Sequence, residues 1–229
     1  MKYLATPKAR RALATILSVL AGVMVVGAVG LLGYPTYTDI RASREQKMLS
    51  KEFVTDAKVK QAYQAAVQPA AAGQTKVVLA EGSPVTRIQI PRLHVDTVVV
   101  QGTSNQALAA GAGHYPQTPL PCSSTGNVGI AGHRTMNGHP FQGLDQLAPG
   151  DKVTLITPFQ SCTYQLVATV DGHANPYVTD PNDWTVIAQT AQPMLTLSTC
   201  TPEGTARQRL VARAVLVSTT NLVPGSTVK

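Results

Sequence analysis

The sequence predicts an all-β domain, a closed or nearly closed antiparallel barrel with a sandwich as the alternative, carried behind one membrane-spanning helix. Three observations support that expectation. After Ser83-Pro84, short apolar and β-branched runs recur between Gly, Pro, Asn and Asp, the pattern of strands joined by turns. Hydrophobic residues make up 44% of the chain and charged ones only 14%, with 18 Gly and 16 Pro, which suits a turn-rich fold rather than a helical bundle and excludes disorder throughout. Residues 12–33 carry no charge at all.

Residues 1–11 hold Lys2, Lys8, Arg10 and Arg11 and no acid. The uncharged run 12–33 follows, and at about 1.5 Å rise per residue it reaches across a bilayer's hydrocarbon core. Basic residues in front of such a helix place 1–11 in the cytoplasm and everything after Gly33 outside, so the expected location is the cell membrane, single-pass, with an extracytoplasmic domain. A cleavable signal peptide is the competing reading, because small residues around Gly27 and Ala28 resemble a processing site. The apolar run is longer than a usual signal core, and both readings export the C-terminal part.

Residues 34–85 form the expected juxtamembrane stalk or linker. Between Ile40 and Val67 good helix formers dominate, with weakly periodic Met48, Leu49, Phe53 and Val59, so a helix or stalk is expected, solvated and without a partner. Gln68-Pro69 through Gly73 reads as a flexible stop. The folded domain is then 86–220, with a tail at 221–229. Its strands are expected at 86–90, 95–101, 128–131, 152–157, 163–170, 194–198 and 210–217. A short helix is expected at 105–110, capped by Ser104 or Asn105. With 229 residues, the chain has room for one such domain and not for a second large one.

The net charge of +7 is concentrated at the N-terminal end; residues 61–229 hold nine bases against eight acids. A phosphate-binding surface needs clustered Lys and Arg, so no nucleic-acid partner is expected.

Candidate chemistry gathers at strand ends. Cys200 closes the run from Met194, and Thr201-Pro202-Glu203-Gly204 breaks the strand after it, which seats a thiol on a sheet but open to a loop. Taken alone, such a cysteine is more often a buried small hydrophobe. His133 ends another run, with Gly132 allowing close backbone approach, whereas His114, His139 and His173 sit in Gly- or Asn-containing loops and His94 follows Pro91-Arg92-Leu93. Arg209 opens the last strand after a loop long enough to reverse the chain, so a hairpin brings it near Cys200. A fixed cation there favours the thiolate and can hold a developing oxyanion. The bland alternative is a surface arginine paired with an acid, as for Arg207 or Arg213. Together a thiol, an imidazole and a guanidinium are the set needed for acyl transfer through a thioester.

The residues carry a family resemblance. Thr196-Leu197-Ser198-Thr199-Cys200 resembles the sortase signature Thr-Leu-x-Thr-Cys, Gly132-His133 matches that family's histidine position, and Arg209 matches its arginine on the following strand. Gly113-His114-Tyr115-Pro116, Gly126-Asn127, Gly132-His133-Arg134-Thr135, Pro140-Phe141 and Leu144 through Asp151 add to the likeness, which covers 86–218. The phrasing is most similar to class E, the housekeeping-like sortases of Gram-positive actinobacteria. Pilus-building class C is the runner-up, through Cys200-Thr201-Pro202 and Gly204. Against class C, no Asp-Pro-aromatic lid precedes the domain, Asp180-Pro181 lying inside it, and no second apolar anchor follows.

The resemblance implies an eight-stranded barrel with one or two short helices and a sorting signal of the Leu-Pro-x-Thr-Gly or Leu-Ala-x-Thr-Gly kind. It implies Cys200 as nucleophile, His133 as general acid and base, and Arg209 as oxyanion stabiliser. The partners it implies are surface proteins bearing the signal and an acceptor amine of a lipid II-type wall precursor or a pilin. It also makes the 171–193 connection one wall of the signal groove. No cofactor and no metal is expected: the spacing of His133 and His139 fits no usual ligand pattern, and the acids are scattered. A different exported thiol peptidase, an L,D-transpeptidase (whose Ser-x-Gly-Cys run is absent) and a non-catalytic wall-binding module are the competing readings. Cys122 and Cys162 are compatible with an intramolecular disulfide, which would leave Cys200 as the odd thiol.

Overall fold

The computed structural model describes residues 7–67 and 78–222. The expected flexible stop at 68–73, Lys2, and most of the tail expected at 221–229 lie outside the described residues. The chain divides into two compact units after Tyr37. In the first, helix α1 (Pro7–Thr55) begins with an apolar stretch whose Leu13, Ile16, Leu17, Val19 and Leu20 are all exposed. By length and composition this helix is sufficient to cross a membrane.

In the second unit, the rest of α1 and helix α2 (Ala57–Val67) come before the strands. These are β1 (Pro84–Ile90), β2 (Val95–Gln101), β3 (Ala112–His114), β4 (Asn127–Gly132), β5 (Lys152–Ile156), β6 (Gln160–Leu166), β7 (Thr169–Val170), β8 (His173–Ala174), β9 (Tyr177–Thr179), β10 (Met194–Thr201) and β11 (Gln208–Asn221). Helix α3 (Asn105–Leu108) lies between β2 and β3, and Ser104 caps it as expected, its side chain accepting from the Ala107 amide at 3.2 Å. The strand order β10-β4-β3-β2-β1-β5-β6-β11 closes on itself through the β10–β11 pairing, giving an eight-stranded barrel. β9 pairs with β11 outside that ring, and β7 and β8 form a small hairpin of their own.

Two pairings are parallel, β2 with β3 and β4 with β10, where an antiparallel barrel was expected. The crossover through α3 returns the chain in the same direction, and β4 meets β10 only after the whole β5–β9 excursion. The run expected as one strand over 163–170 is interrupted at Val167 and Ala168, whose carbonyls accept from Asn175 instead of from a neighbouring strand. β3 escaped prediction because its three residues, two of them small, show no alternation. At Gly113 a Cβ would collide with the Gly102 carbonyl oxygen, so only glycine allows this backbone approach.

The barrel interior is filled by Ile88, Ile90, Val99, Val128, Ile130, Phe141, Leu155, Tyr164, Leu195 and Leu197, all essentially inaccessible. Strands β1, β4, β5, β6, β10 and β11 each send alternate residues into this cluster.

The segment expected to be a solvated spacer is instead packed. Leu49 and Phe53 are buried with Val98, Val100, Ala107 and Ala110, and Tyr63 and Ala66 with Leu79 and Val85. Gln46 donates from Nε2 to the carbonyls of Val98 (2.9 Å) and Ala110 (2.8 Å), while its Oε1 accepts from the Val98 amide at 2.8 Å. Weak helical periodicity hid this face because only one residue per turn reaches the barrel and a glutamine supplies the polar contact.

Cys122 and Cys162 form a disulfide across 40 residues, with Cα atoms 5.6 Å apart. It ties the β3–β4 loop to β6, and Cys162 is itself part of the core. Closing a loop of that length restricts the unfolded chain by about 4 kcal/mol. The Cys122→Ala, Cys162→Ala variant of the full chain should therefore lose a few kcal/mol in a urea unfolding curve followed by near-ultraviolet circular dichroism.

His114, expected in a loop, ends β3 and is 1% exposed; Nδ1 lies 2.9 Å from Gln101 Oε1, and Nε2 2.9 Å from the Pro119 carbonyl oxygen. Burial pushes its pKa down to about 4. The unfolded chain binds a proton near pH 6.5 that the native state excludes until about pH 4. Stability should thus fall by about 3 kcal/mol as pH drops through that window, and stay flat above it as far as this group is concerned. The slope of unfolding free energy between pH 6.5 and 4, compared with that of His114→Gln, measures the contribution.

Candidate active site

The cysteine strand, β10, alternates in role along its length. Leu195 and Leu197 enter the core, while Thr196, Ser198 and Cys200 lie on the opposite face. On its antiparallel side Cys200 is directly opposite Arg209 of β11, so the two side chains project from the same face of the sheet. On its parallel side β10 runs in register with β4 from Met194–Asn127 to Ser198–Ala131. Continuing that offset sets Cys200 beside His133, one residue beyond the end of β4. The three residues singled out in the sequence thus come from three neighbouring strand ends, and all three line one cavity of about 670 Å³.

Two side-chain bonds extend the β4–β10 pairing past the last backbone pair. Thr199 Oγ1 donates to the Gly132 carbonyl at 2.7 Å, and Arg134 Nη1 donates to Thr201 Oγ1 at 2.8 Å. Gly132 is required where it stands, because a Cβ there would approach Phe141 Cδ2 to 2.7 Å. The cavity wall on the far side is the turn Trp184–Ile187. It is fastened by Asn127, whose Nδ2 donates to the Val186 carbonyl at 2.9 Å and whose Oδ1 accepts from Thr196 Oγ1 at 2.9 Å. Tyr115 lines the cavity too, its hydroxyl 3.1 Å from Ser198 Oγ.

Cys200 is half-buried and is the free cysteine among the described residues, Cys122 and Cys162 being consumed by each other. His133 is half-buried as well, and burial holds its imidazole below the usual histidine range, so the ring is neutral at pH 7. Arg209 donates from Nη1 to the carbonyls of Ala206 and Gln208, both at 3.3 Å. Among the described residues it pairs with no carboxylate, unlike Arg87, Arg134 and Arg213. Its charge is left facing the cavity. Arg213, by contrast, is not the surface residue expected: it is 3% exposed, with Nη1 2.6 Å from Asp171 Oδ2. Its position on β11 faces the 171–175 connection, whose Asn175 also binds its backbone.

His139 lines a different cavity, of about 790 Å³, with Nε2 3.7 Å from Asp39 Oδ2, away from Cys200. Sequence reasoning did not single out Arg134, Thr199, Tyr115 or Trp184 for the site. Arg134 and Tyr115 stood beside recognised residues, but a side chain's role as a strap or a wall depends on contacts between distant segments. Trp184, 62% exposed yet lining the cavity, carried the one available signal: a lone tryptophan in a long polar connection.

A family profile described as the Sortase domain matches residues 88–217, more than half of the chain and nearly the whole barrel. Sortase SrtE1 of Streptomyces coelicolor is 32% identical over 138 residues, and Sortase D of Bacillus subtilis 28% identical over 116. Those matches cover 57% and 50% of this chain, and they span 39% and 53% of the relatives' own lengths. Among solved structures, sortase E from Streptomyces avermitilis superposes with a TM-score of 0.56 at 32% identity, covering 65% of this chain and 97% of that one. The sortase E1 structure from Streptomyces coelicolor, which holds a tripeptide in its active site, gives a TM-score of 0.56 at 28% identity over 64% of this chain and 95% of its own. A closed barrel of this topology, matched over residues 88–217 by the family profile and in part by class E relatives, means that the chain belongs to the sortase family.

Proposed function

We propose that this protein is a cysteine transpeptidase that cleaves a Leu-Pro-x-Thr-Gly or Leu-Ala-x-Thr-Gly sorting signal between Thr and Gly. It passes the acyl group to an amine of a cell-wall precursor and so anchors surface proteins. The observation that carries the reading is the convergence of Cys200, His133 and Arg209 on one cavity, where the arginine's charge has no carboxylate partner among the described residues. In this scheme the neutral His133 takes the Cys200 proton and the thiolate attacks the Thr carbonyl carbon. The Arg209 guanidinium holds the carbonyl oxygen as it becomes an oxyanion. Collapse breaks the Thr–Gly bond, His133 hands its proton to the departing Gly amine, and a thioester remains on Cys200. The incoming amine then attacks and gives a proton to His133, the new amide forms as the C–S bond breaks, and His133 returns the proton to the departing thiolate.

The chain is read as 1–11 in the cytoplasm, 12–33 across the membrane, 34–85 as the juxtamembrane segment, 86–220 as the catalytic domain and 221–229 as a tail. That orientation puts the disulfide and the open cavity on the oxidising side. The direct test is the intact mass of the full chain in detergent micelles after incubation with each of the two signal peptides. An adduct of the peptide's acyl part on Cys200, discharged by a small amine, is expected; absence of adduct with both peptides rejects the reading.

A further inference from the structure

Backbone pairing between β4 and β10 ends at Ala131 and Ser198, one pair short of Gly132 and Thr199 and two short of His133 and Cys200. The two side-chain bonds beyond it fall at Gly132–Thr199 and Arg134–Thr201. They continue the same offset and bracket His133 and Cys200, one pair before and one pair after. We propose that Arg134, acting through Thr201, is a positioning residue that keeps the imidazole and the thiol in register where the strands have stopped pairing. This rests on the transpeptidase reading for what the register serves.

The surroundings of Arg134 support that role. Its side chain is only 10% exposed, and every direction of its planar fork is engaged: Nη1 on Thr201, Nη2 3.0 Å from Asp145 Oδ1, Nε 3.4 Å from Glu203 Oε1 and 3.3 Å from the Gln142 carbonyl oxygen. The acids belong to opposite sides of the gap, Asp145 to the segment that follows His133 and Glu203 to the loop that follows Cys200. Both are about half exposed, so neither needs the guanidinium in order to remain solvated. The buried fork therefore acts as a strap between two loops rather than as a partner demanded by a buried charge. Among the described residues, the other side-chain hydrogen bond that joins the two strand ends past Ser198 and Ala131 is that of Thr199 to the Gly132 carbonyl, one pair before the reacting pair. A displacement of about 1 Å between reacting groups is enough to cost about 100-fold in rate.

The test uses the full chain in detergent micelles and five variants, four single and one double. Arg134→Met keeps the length of the side chain without its donors, Thr201→Val keeps the shape without the acceptor, Thr201→Ser keeps the acceptor, and His133→Ala serves as reference. The first two should lower kcat for a sorting-signal peptide by about 10- to 100-fold with KM within about threefold, Thr201→Ser should restore the rate, and the Arg134→Met, Thr201→Val pair should be no slower than Arg134→Met alone. A substrate-independent readout is the pH profile of Cys200 alkylation by iodoacetamide, which in Arg134→Met should move onto that of His133→Ala.

The proposal is overturned if Arg134→Met keeps both the wild-type kcat and the wild-type alkylation profile. It is also overturned if wild type and His133→Ala titrate alike, since the two groups would then be uncoupled. If Arg134→Met does not fold, equal rates for Thr201→Val and Thr201→Ser overturn it. Should wild type turn over no signal peptide, the transpeptidase reading falls while the alkylation profiles still decide the strap.

Discussion

Replacing Cys200 by Ala should abolish acyl transfer, by at least about 10³-fold in kcat/KM, while leaving the fold intact. The sulfur is the proposed nucleophile, and no neighbouring group can form the thioester in its place: Cys122 and Cys162 are consumed by their disulfide. Stability should hardly change, because Cys200 is half-buried at a strand end and alanine fits any space the thiol occupied. A thiol reagent should titrate one equivalent in the folded wild-type chain and none in Cys200→Ala. Equal turnover of a fluorogenic signal peptide by the two proteins would remove the transpeptidase reading altogether.

Truncating Arg209 to Ala should cost about 10² to 10³ in kcat, with a smaller change in KM. The guanidinium lies on the strand partner of Cys200, on the same face, and it is tied to two backbone carbonyls with no neutralising carboxylate among the described residues. An uncompensated cation at the edge of a half-closed cavity is of little use to stability and of much use to an oxyanion that exists only in the transition state. Arg209→Lys should recover part of the rate, since it keeps the charge but loses the planar fork. Steady-state kinetics with the chain's unfolding curve run alongside separates this from a folding defect. An Arg209→Ala enzyme whose kcat is unchanged would assign the oxyanion to other donors.

The packing of helix α1 beyond Tyr37 bears on both experiments. Gly138 donates its amide to Asp39 Oδ1 at 2.8 Å, and Asn137 donates its own to Thr38 Oγ1 at 3.5 Å, so residues just beyond the apolar stretch hold the loop that leaves His133. A chain shortened to begin at residue 86 would lose those contacts along with the Leu49 and Phe53 cluster, which is why the full chain is the proper material.

Most of the barrel could be read from residue patterns alone. Strands β1, β2, β4, β5, β10 and β11 carry enough Val, Ile, Leu and Thr in sequence to announce themselves, and Ser104 announced its helix. β3, β8 and β9 could not be read, because two or three residues set no period and are held only by partners far away in the chain. The convergence of Cys200, His133 and Arg209 on one cavity was legible because reactive residue types at the ends of apolar runs are few. The burial of Arg213, the contact of Gln46 with Val98 and Ala110, and the strap from Arg134 to Thr201 were not.

By itself the sequence determined the apolar N-terminal helix, the all-β class, three candidate residues that line one cavity and the near-neutral charge balance of residues 61–229, each a consequence of local composition or of short motifs. Tertiary structure alone decided the two parallel pairings, the Cys122–Cys162 disulfide, the docking of the helix after Thr38 and the alignment of His133 with Cys200. These depend on distances between segments tens of residues apart. Such distances are set by how the barrel closes around its core, and no local pattern encodes that closure.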